Sequence, residues 1–503
     1  MMKTRLGMMI LALGIIGLTP SCKKEGCTDP LATNYNADIK EKNDDGSCIY
    51  PDPVPTDSSK TIVEVSGSIT GTRTWDADTI YRLNSYVRVE SGATLTIEAG
   101  TVIFGDSETK GTLIVQTGGK IYANGTAANP IVMTSENEPG LRNPGDWGGL
   151  VICGLAPNNI AGGTAELEGG YGAFHGGSDP LDNSGSITYV QICYAGVPIN
   201  PNEEVNSLTL GSVGSGTVVE NVMCAYGLDD SFEFFGGTVN CKNLIAYRGF
   251  DDDFDVDNGY VGNVQFCFAV RGSAFADQSG SNGFEVDNDG SGSSNTPFTA
   301  ATFSNVTEIG PKEDRTTTIS TLFQNGAQLR RNNKLKIHNS FFTGYPNGIY
   351  IDGTGTAANC TADELQIRNT VIAGVDNWGG NGYGTAGTIF GVGTAANGVD
   401  HPTNPKGIPL KTNEVPFDVT AWFTTVAYGN SVLDKWQDAG IDPTIFDLGT
   451  PGVLPLAGSA LLSGADFTGM GSYFTSVAYK GAFGTTNWTT WGDFNCSQTD
   501  YTW

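Results

Sequence analysis

From about residue 61 the chain alternates short runs of apolar and polar residues with glycine and asparagine turns at nearly regular intervals. Leu95-Thr96-Ile97-Glu98-Ala99-Gly100-Thr101-Val102-Ile103 returns 18 positions later as Leu113-Ile114-Val115-Gln116-Thr117-Gly118-Gly119-Lys120-Ile121. A period of two marks strands with one buried face, and its return at a near-fixed interval marks a solenoid. A phrase that opens on asparagine and closes on glycine recurs at Asn221, Asn243, Asn263, Asn305, Asn339 and Asn369, with spacings of 22, 20, 42, 34 and 30 residues. One coil of a parallel β-helix takes roughly this many residues, and 42 fits two coils or one coil with an insertion. Asparagine suits a repeated inward corner because it tolerates the left-handed conformation and its amide can bond the neighbouring coil's backbone. The pattern predicts an all-β chain folded as a right-handed parallel β-helix over residues 61–375. A propeller or tandem sandwiches would repeat at a longer period.

After about residue 376 the period fades. Residues 416–438 have the apolar spacing of a short helix or two, and the tail carries Trp488, Trp491 and Trp503. The last coil of a solenoid exposes an open edge and core, so residues 376–503 are expected to form an aromatic-rich C-terminal cap. Exposed rings stacking on sugars are the functional alternative. The 69 glycines then belong to inter-coil corners of one long solenoid rather than to several domains.

Charge narrows the choice of partner. Asp and Glu outnumber Lys and Arg 54 to 27, a net charge of −27, which excludes a phosphate-backbone ligand. Aromatics at 10 % and hydrophobics at 39 % exceed what a disordered acidic chain carries.

The N-terminus reads as an address. Lys3 and Arg5 precede the apolar run from Leu6 to Leu18, the form of a secretory signal peptide over residues 1–21 and too short to span a bilayer. Leu18-Thr19-Pro20-Ser21-Cys22 resembles a loose bacterial lipoprotein box, which implies lipidation of Cys22 and a lipid anchor in the membrane. Residues 22–60 follow as a stalk. Cys27 and Cys48 bound a loop that cannot build a core, and in an oxidising compartment they read as a disulfide staple. Asp29, Asn34, Asn36, Asp44 and Asp45 within it could surround Ca²⁺ or simply form turns. A proline-rich spacer, residues 51–59, completes the stalk. Seven further cysteines, Cys153, Cys193, Cys224, Cys241, Cys267, Cys360 and Cys496, lack the spacing of a redox or zinc motif, and Cys193, Cys224 and Cys267 are expected to fill the coil interior.

The acidity is concentrated. Gly227-Leu228-Asp229-Asp230-Ser231-Phe232-Glu233 aligns at an offset of 22 with Gly249-Phe250-Asp251-Asp252-Asp253-Phe254-Asp255, and Asn282-Gly283-Phe284-Glu285-Val286-Asp287 is a partial third copy. Period two turns Phe232, Phe254 and Phe284 inward as a stack and sends Glu233, Asp255 and Glu285 outward, with Asp253, Asp257 and Asp287 on the same outer face. Coils lie about 4.8 Å apart, so such a ladder of carboxylates repels itself unless relieved. Three readings follow: a solvated acidic face with Arg248 and Arg271 as internal partners, a Ca²⁺ site built from Glu233, Asp253, Asp255, Asp257, Glu285 and Asp287, or a catalytic cleft. Pectate-lyase-like β-helices hold Ca²⁺ on carboxylates and take a proton with Arg or Lys, while hydrolases on this scaffold use Asp pairs. Here those roles would fall to Asp252, Asp253 and Arg271. With only His175, His338 and His401, histidine catalysis is poorly supported.

Several phrases carry a resemblance: Gly145-Asp146-Trp147-Gly148-Gly149-Leu150-Val151, the Gly177 to Gly185 turn, Asp229-Asp230-Ser231-Phe232-Glu233, Ser279-Gly280-Ser281-Asn282-Gly283-Phe284-Glu285 and Tyr479-Lys480-Gly481-Ala482-Phe483-Gly484. Over roughly residues 61–495 the chain resembles secreted or lipidated β-helix proteins of Bacteroidota. The Cys27–Cys48 segment resembles a short repeat of the same organisms, Cys-Thr-Asp-Pro…Asp-Asp-Gly-Ser-Cys. The resemblance implies an outer-membrane, cell-surface lipoprotein of nutrient capture or adhesion, in some cases beside a TonB-dependent transporter complex, and carries over no catalytic residues. The expected function is non-catalytic binding of a polysaccharide or of an outer-membrane complex. The alternative is a Ca²⁺-dependent polysaccharide lyase or glycoside hydrolase.

Overall fold

The computed structural model describes residue 47 and residues 60–200, 203–314, 316–374, 390–392, 417 and 419–502. The signal sequence, Cys22, the Cys27/Cys48 staple, His401 and Trp503 lie outside the described residues. No helix among those described is long and apolar enough to cross a membrane.

Short strands, some alternating in burial and others buried throughout, stack in register on the strands of the next coil, and every pairing in the main sheet is parallel. The result is a right-handed β-helix with three faces per coil. Sheet A runs from Thr72–Trp75 through Thr94–Ile97 and Lys120–Asn124 to Gln366–Arg368. Sheet B runs through Thr112–Val115, Gly149–Cys153, Leu208–Gly211, Phe232–Phe235, Phe254–Asp257 and Phe284–Val286 to Asn347–Ile351. Sheet C includes Val102–Gly105, Ile131–Ser135 and residues 190–193, 222–225, 244–247, 267–270 and 306–309. The solenoid continues past residue 375: Phe390–Val392 extends sheet B and Ser431–Leu433 extends sheet C.

From Tyr189 onward the corner between sheets A and C is a single left-handed residue: Tyr189, Asn221, Asn243, Phe266, Asn305, Asn339 and Asn369, with φ between 51° and 63°. Five of the six expected asparagines stand there. Asn263 does not, because it opens the sheet A strand and donates to Asn240 Oδ1 at 2.9 Å while Phe266 turns the corner. The corner amides also do less stacking than the sequence suggests. Asn305 Nδ2 donates to Tyr479 O at 2.9 Å, and Asn339 accepts from Asp466 N at 2.8 Å, so both hold the C-terminal segment.

That segment corrects the expectation of an end cap. Among the described residues, helix Val419–Phe423 covers the solenoid end, where Val419, Trp422 and Phe423 join the interior cluster. Residues 434–502 instead run back along the outside of sheet C as a strap. Outward residues Tyr194, Met223, Ile245, Tyr247, Phe268, Ile309 and Phe341 pack there against Trp436, Ile441, Phe483 and Trp491. Trp491 meets Tyr189 edge-on at 5.5 Å and Trp488 stacks on Phe483 at 5.4 Å, so these rings pack the strap rather than present a sugar platform. The strap reaches the first coil, where Lys60 N donates to Thr502 O at 3.1 Å.

The interior is a continuous apolar column. Phe232 and Phe254 stack at 5.5 Å, Phe254 and Phe284 at 5.0 Å, and Phe303 meets Phe284 edge-on at 5.1 Å. Phe254→Ala should cost about 3–5 kcal/mol, read as a lower urea midpoint, whereas Phe174→Ala, on a ring 54 % exposed, should leave it within error. Equal midpoints for the two variants would contradict a stacked interior.

Candidate functional site

In-register stacking builds the acidic site. Along the outer row of sheet B, Thr209, Glu233, Asp255, Glu285 and Gln328 lie directly over one another. At the corner entering sheet B a second column forms, in which a side-chain oxygen of each residue accepts from the next coil. Asn206 Oδ1 takes Asp230 N at 3.2 Å, Asp230 Oδ1 takes Asp252 N at 2.8 Å, Asp252 Oδ1 takes Asn282 N at 2.5 Å and Asn282 Oδ1 takes Asn325 N at 3.1 Å. Asn325 Oδ1 then accepts from Asn347 Nδ2 at 2.9 Å. Asp230 and Asp252 each spend one oxygen on this column and keep the other for the site. The column is hard to see in the sequence because Asn and Asp alternate in it; its signal is an Asx residue two positions before the first inward side chain of sheet B.

The two columns and the loops beside them enclose a cleft of about 400 Å³. It is lined by Glu204, Asp229, Asp230, Glu233, Asp251, Asp252, Asp255, Asp277 and Glu285, with Glu168 at its mouth, and no Lys, Arg or His is among its lining residues. The 273–300 insertion does not close it: Asp277, Gln278 and Ser279 form one wall, and Ser279 Oγ donates to Asp251 Oδ2 at 2.6 Å. Three groups of carboxylates, Asp229/Asp230/Asp251, Asp230/Glu233/Asp255 and Asp252/Asp255/Glu285, each bring oxygens within 4.8 Å of one another. Asp230 and Asp255 are shared between groups. Asp251 Oδ1 is buried with no hydrogen-bond partner. This donor set, all hard oxygens, suits a cation such as Ca²⁺.

The sequence-predicted residues divide. Glu233, Asp255 and Glu285 line the cleft, as does Asp252. Asp253 does not: it precedes strand Phe254–Asp257, where alternation has not begun, and its fully buried side chain turns inward to Arg271. Arg271 Nε donates to Asp253 Oδ2 at 2.8 Å, and its other nitrogens donate to Gly249 O and Asn282 O at 2.7 and 2.6 Å. Tyr345 Oη donates within the same buried network, 3.0 Å from Asp253 Oδ2 and 3.1 Å from Glu308 Oε1. Arg271 is therefore a structural ion-pair partner, sealed from any substrate, and neither it nor Asp253 can act in the cleft. Asp287 is also corrected: Arg330 and Arg331 bind it at 2.9 and 2.6 Å, and Arg330 also engages Glu285. Asp257 is half-buried and accepts from its neighbour Asn258. Arg248 lies over the Tyr226 ring, 5.0 Å from its centroid, away from the acids.

Electrostatics follow from crowding that Arg271 and Arg330, both engaged elsewhere, offset only in part. Burial, then the neighbouring carboxylates, push Asp229, Asp230, Glu233, Asp251 and Asp255 well above the usual carboxylate range. Burial pushes Asp252 up to about 7, against the pull of Arg271 and of its hydrogen bonds to Asn282. Between the ordinary carboxylate pKa near 4 and about 7 the unfolded chain loses protons that the folded chain keeps, so metal-free stability must fall as pH rises through that window. The melting midpoint of metal-free protein should drop between about pH 5 and about pH 8, and Ca²⁺ should raise it more at the higher pH. A metal-free midpoint that stays flat or rises would contradict the crowding.

A sequence-family model described as a pectate-lyase-like β-helix domain matches residues 67–397, a span that contains most of the three-faced solenoid and the acidic cleft. No curated protein and no solved structure matches the chain. With about two thirds of its length covered by that match and its coils laid out as above, the chain belongs to the pectate-lyase-like β-helix family.

Proposed function

We propose that the protein is a non-catalytic surface lipoprotein, anchored in the outer membrane through Cys22, that binds acidic polysaccharide through Ca²⁺ held in the sheet B cleft. The observation that carries this reading is a carboxylate-lined cleft with no cationic side chain on its walls. Such a cleft repels a uronate chain on its own and accepts one only across a bound cation. Asp230, Glu233, Asp252 and Asp255 would hold the ion, while Glu285 is already engaged by Arg330 and Gln328. The ion neutralises them and offers open positions to sugar carboxylate and hydroxyl oxygens.

One observation favours a second reading, a glycoside hydrolase. A carboxyl with a pKa near 7, as burial gives Asp252, suits a general acid, and carboxylates a few ångströms apart are close to the separation of roughly 5 Å that retaining enzymes use. A lyase that uses Arg271 as its base has no support, because that guanidinium is sealed in the core.

Titrating the metal-free protein with Ca²⁺ and then with polygalacturonate by calorimetry separates these readings. Binding of the glycan only in the presence of Ca²⁺, lost tenfold or more in Asp255→Asn and Glu233→Gln, with no new reducing ends or unsaturated products over a day, is the expected outcome. Glycan binding that ignores Ca²⁺ overturns the proposal. Turnover abolished by Asp252→Asn replaces it with the hydrolase.

A further inference from the structure

The seven described cysteines are all buried, and most are isolated by the geometry of the coil. Cys224, Cys241, Cys267 and Cys360 point into the interior column, and Cys153 lies under the loops outside sheet B. Cys193 differs. Ile192 faces inward, so Cys193 faces outward beneath the strap, and the adjoining inward Cys224 is on the other side of the sheet. Cys496 of the strap packs in the same buried cluster; both thiols are free in this structure, and Cys193 helps burial to raise the Cys496 thiol. Both side chains are fully buried.

The surrounding bonds hold both backbones in place. Trp147 Nε1 donates to Cys193 O at 2.8 Å, Arg142 donates to Cys496 O at 2.6 Å, and Gln191 Oε1 accepts from Asp493 N at 2.8 Å. Gln191 Nε2 lies 3.3 Å from Cys193 Sγ. A pair of buried thiols from distant parts of the chain, packed in one cluster and held from both sides, is where a cross-link can form.

We infer that Cys193 and Cys496 are joined as a disulfide in the mature protein, tying the strap to the middle of sheet C. The oxidant is a disulfide, either a dithiol–disulfide oxidoreductase or oxidised glutathione. One chain thiolate attacks it and releases one oxidant thiolate, and the second chain thiolate then displaces the other. One S–S bond forms as one is reduced, and the two cysteine protons end on the two oxidant thiols. Burial raises the Cys496 thiol far above its usual range once the strap is down, so exchange belongs to folding, before docking. The bond would keep the strap closed over the apolar outer face of sheet C, independently of what the acidic cleft binds.

The test uses the purified full chain in a reduced/oxidised glutathione buffer with enough urea to loosen the strap, followed by alkylation in strong denaturant and peptide mass mapping. The expected result is a cross-link between Cys193 and Cys496, with the other five of the seven described cysteines alkylated. Cys193→Ser should free Cys496 for alkylation, and Cys496→Ser should free Cys193. Alkylation of all seven in the unmutated chain, or Cys193 joined to any other cysteine, overturns the inference. Because neither Ca²⁺ nor glycan enters this experiment, its failure leaves the glycan-binding proposal untouched, and the reverse holds as well.

Discussion

Parallel, in-register stacking is the constraint on which this molecule depends. Each residue of a coil sits about 4.8 Å above its counterpart in the next, so whatever chemistry occupies one position is repeated along the axis. Where the repeated residue is phenylalanine, as at 232, 254 and 284, repetition is favourable on the inside. Where it is a carboxylate, as at 233, 255 and 285, the same register forces like charges together on the outside. The fold cannot separate them without losing the phenylalanine stack, because both belong to the same strands.

The structure relieves that repulsion unevenly. At the lower rung, Gln328, Arg330 and Arg331 take up Glu285 and Asp287. At the corner, Asp230 and Asp252 use one oxygen each to accept a backbone N–H from the coil beyond. Arg271 is the strongest counter-charge nearby, yet it is spent inside on Asp253. The middle of the row, between Asp229 and Asp255, is left with oxygens and no cation, and the proposed role of Ca²⁺ follows from that remainder.

Much of the solenoid was legible in the sequence, because period-two strands and recurrent turns are local signals. The aligned phrases around 232, 254 and 284 place both the phenylalanine stack and the Glu233–Asp255–Glu285 row. Alternation fails at strand entrances: Asp253 has the parity of the outer face but sits in the corner, where the backbone aims it inward. Spacing alone also could not tell a corner asparagine from Asn263, three residues ahead of the true corner at Phe266. The strap was illegible for a different reason. Its contacts, such as Asp493 with Gln191 and Thr502 with Lys60, join residues hundreds of positions apart and follow no period. Its tryptophans therefore looked like an end cap.

The central claim is that register-forced carboxylates in sheet B are balanced by a bound cation. Anomalous diffraction from crystals grown at neutral pH and soaked in Ca²⁺ or a lanthanide tests it most directly. The account predicts a peak among the oxygens of Asp230, Glu233 and Asp255, absent in crystals of Asp255→Asn. A clean map with no density at that position, in crystals whose carboxylates remain as closely spaced as described, would contradict it.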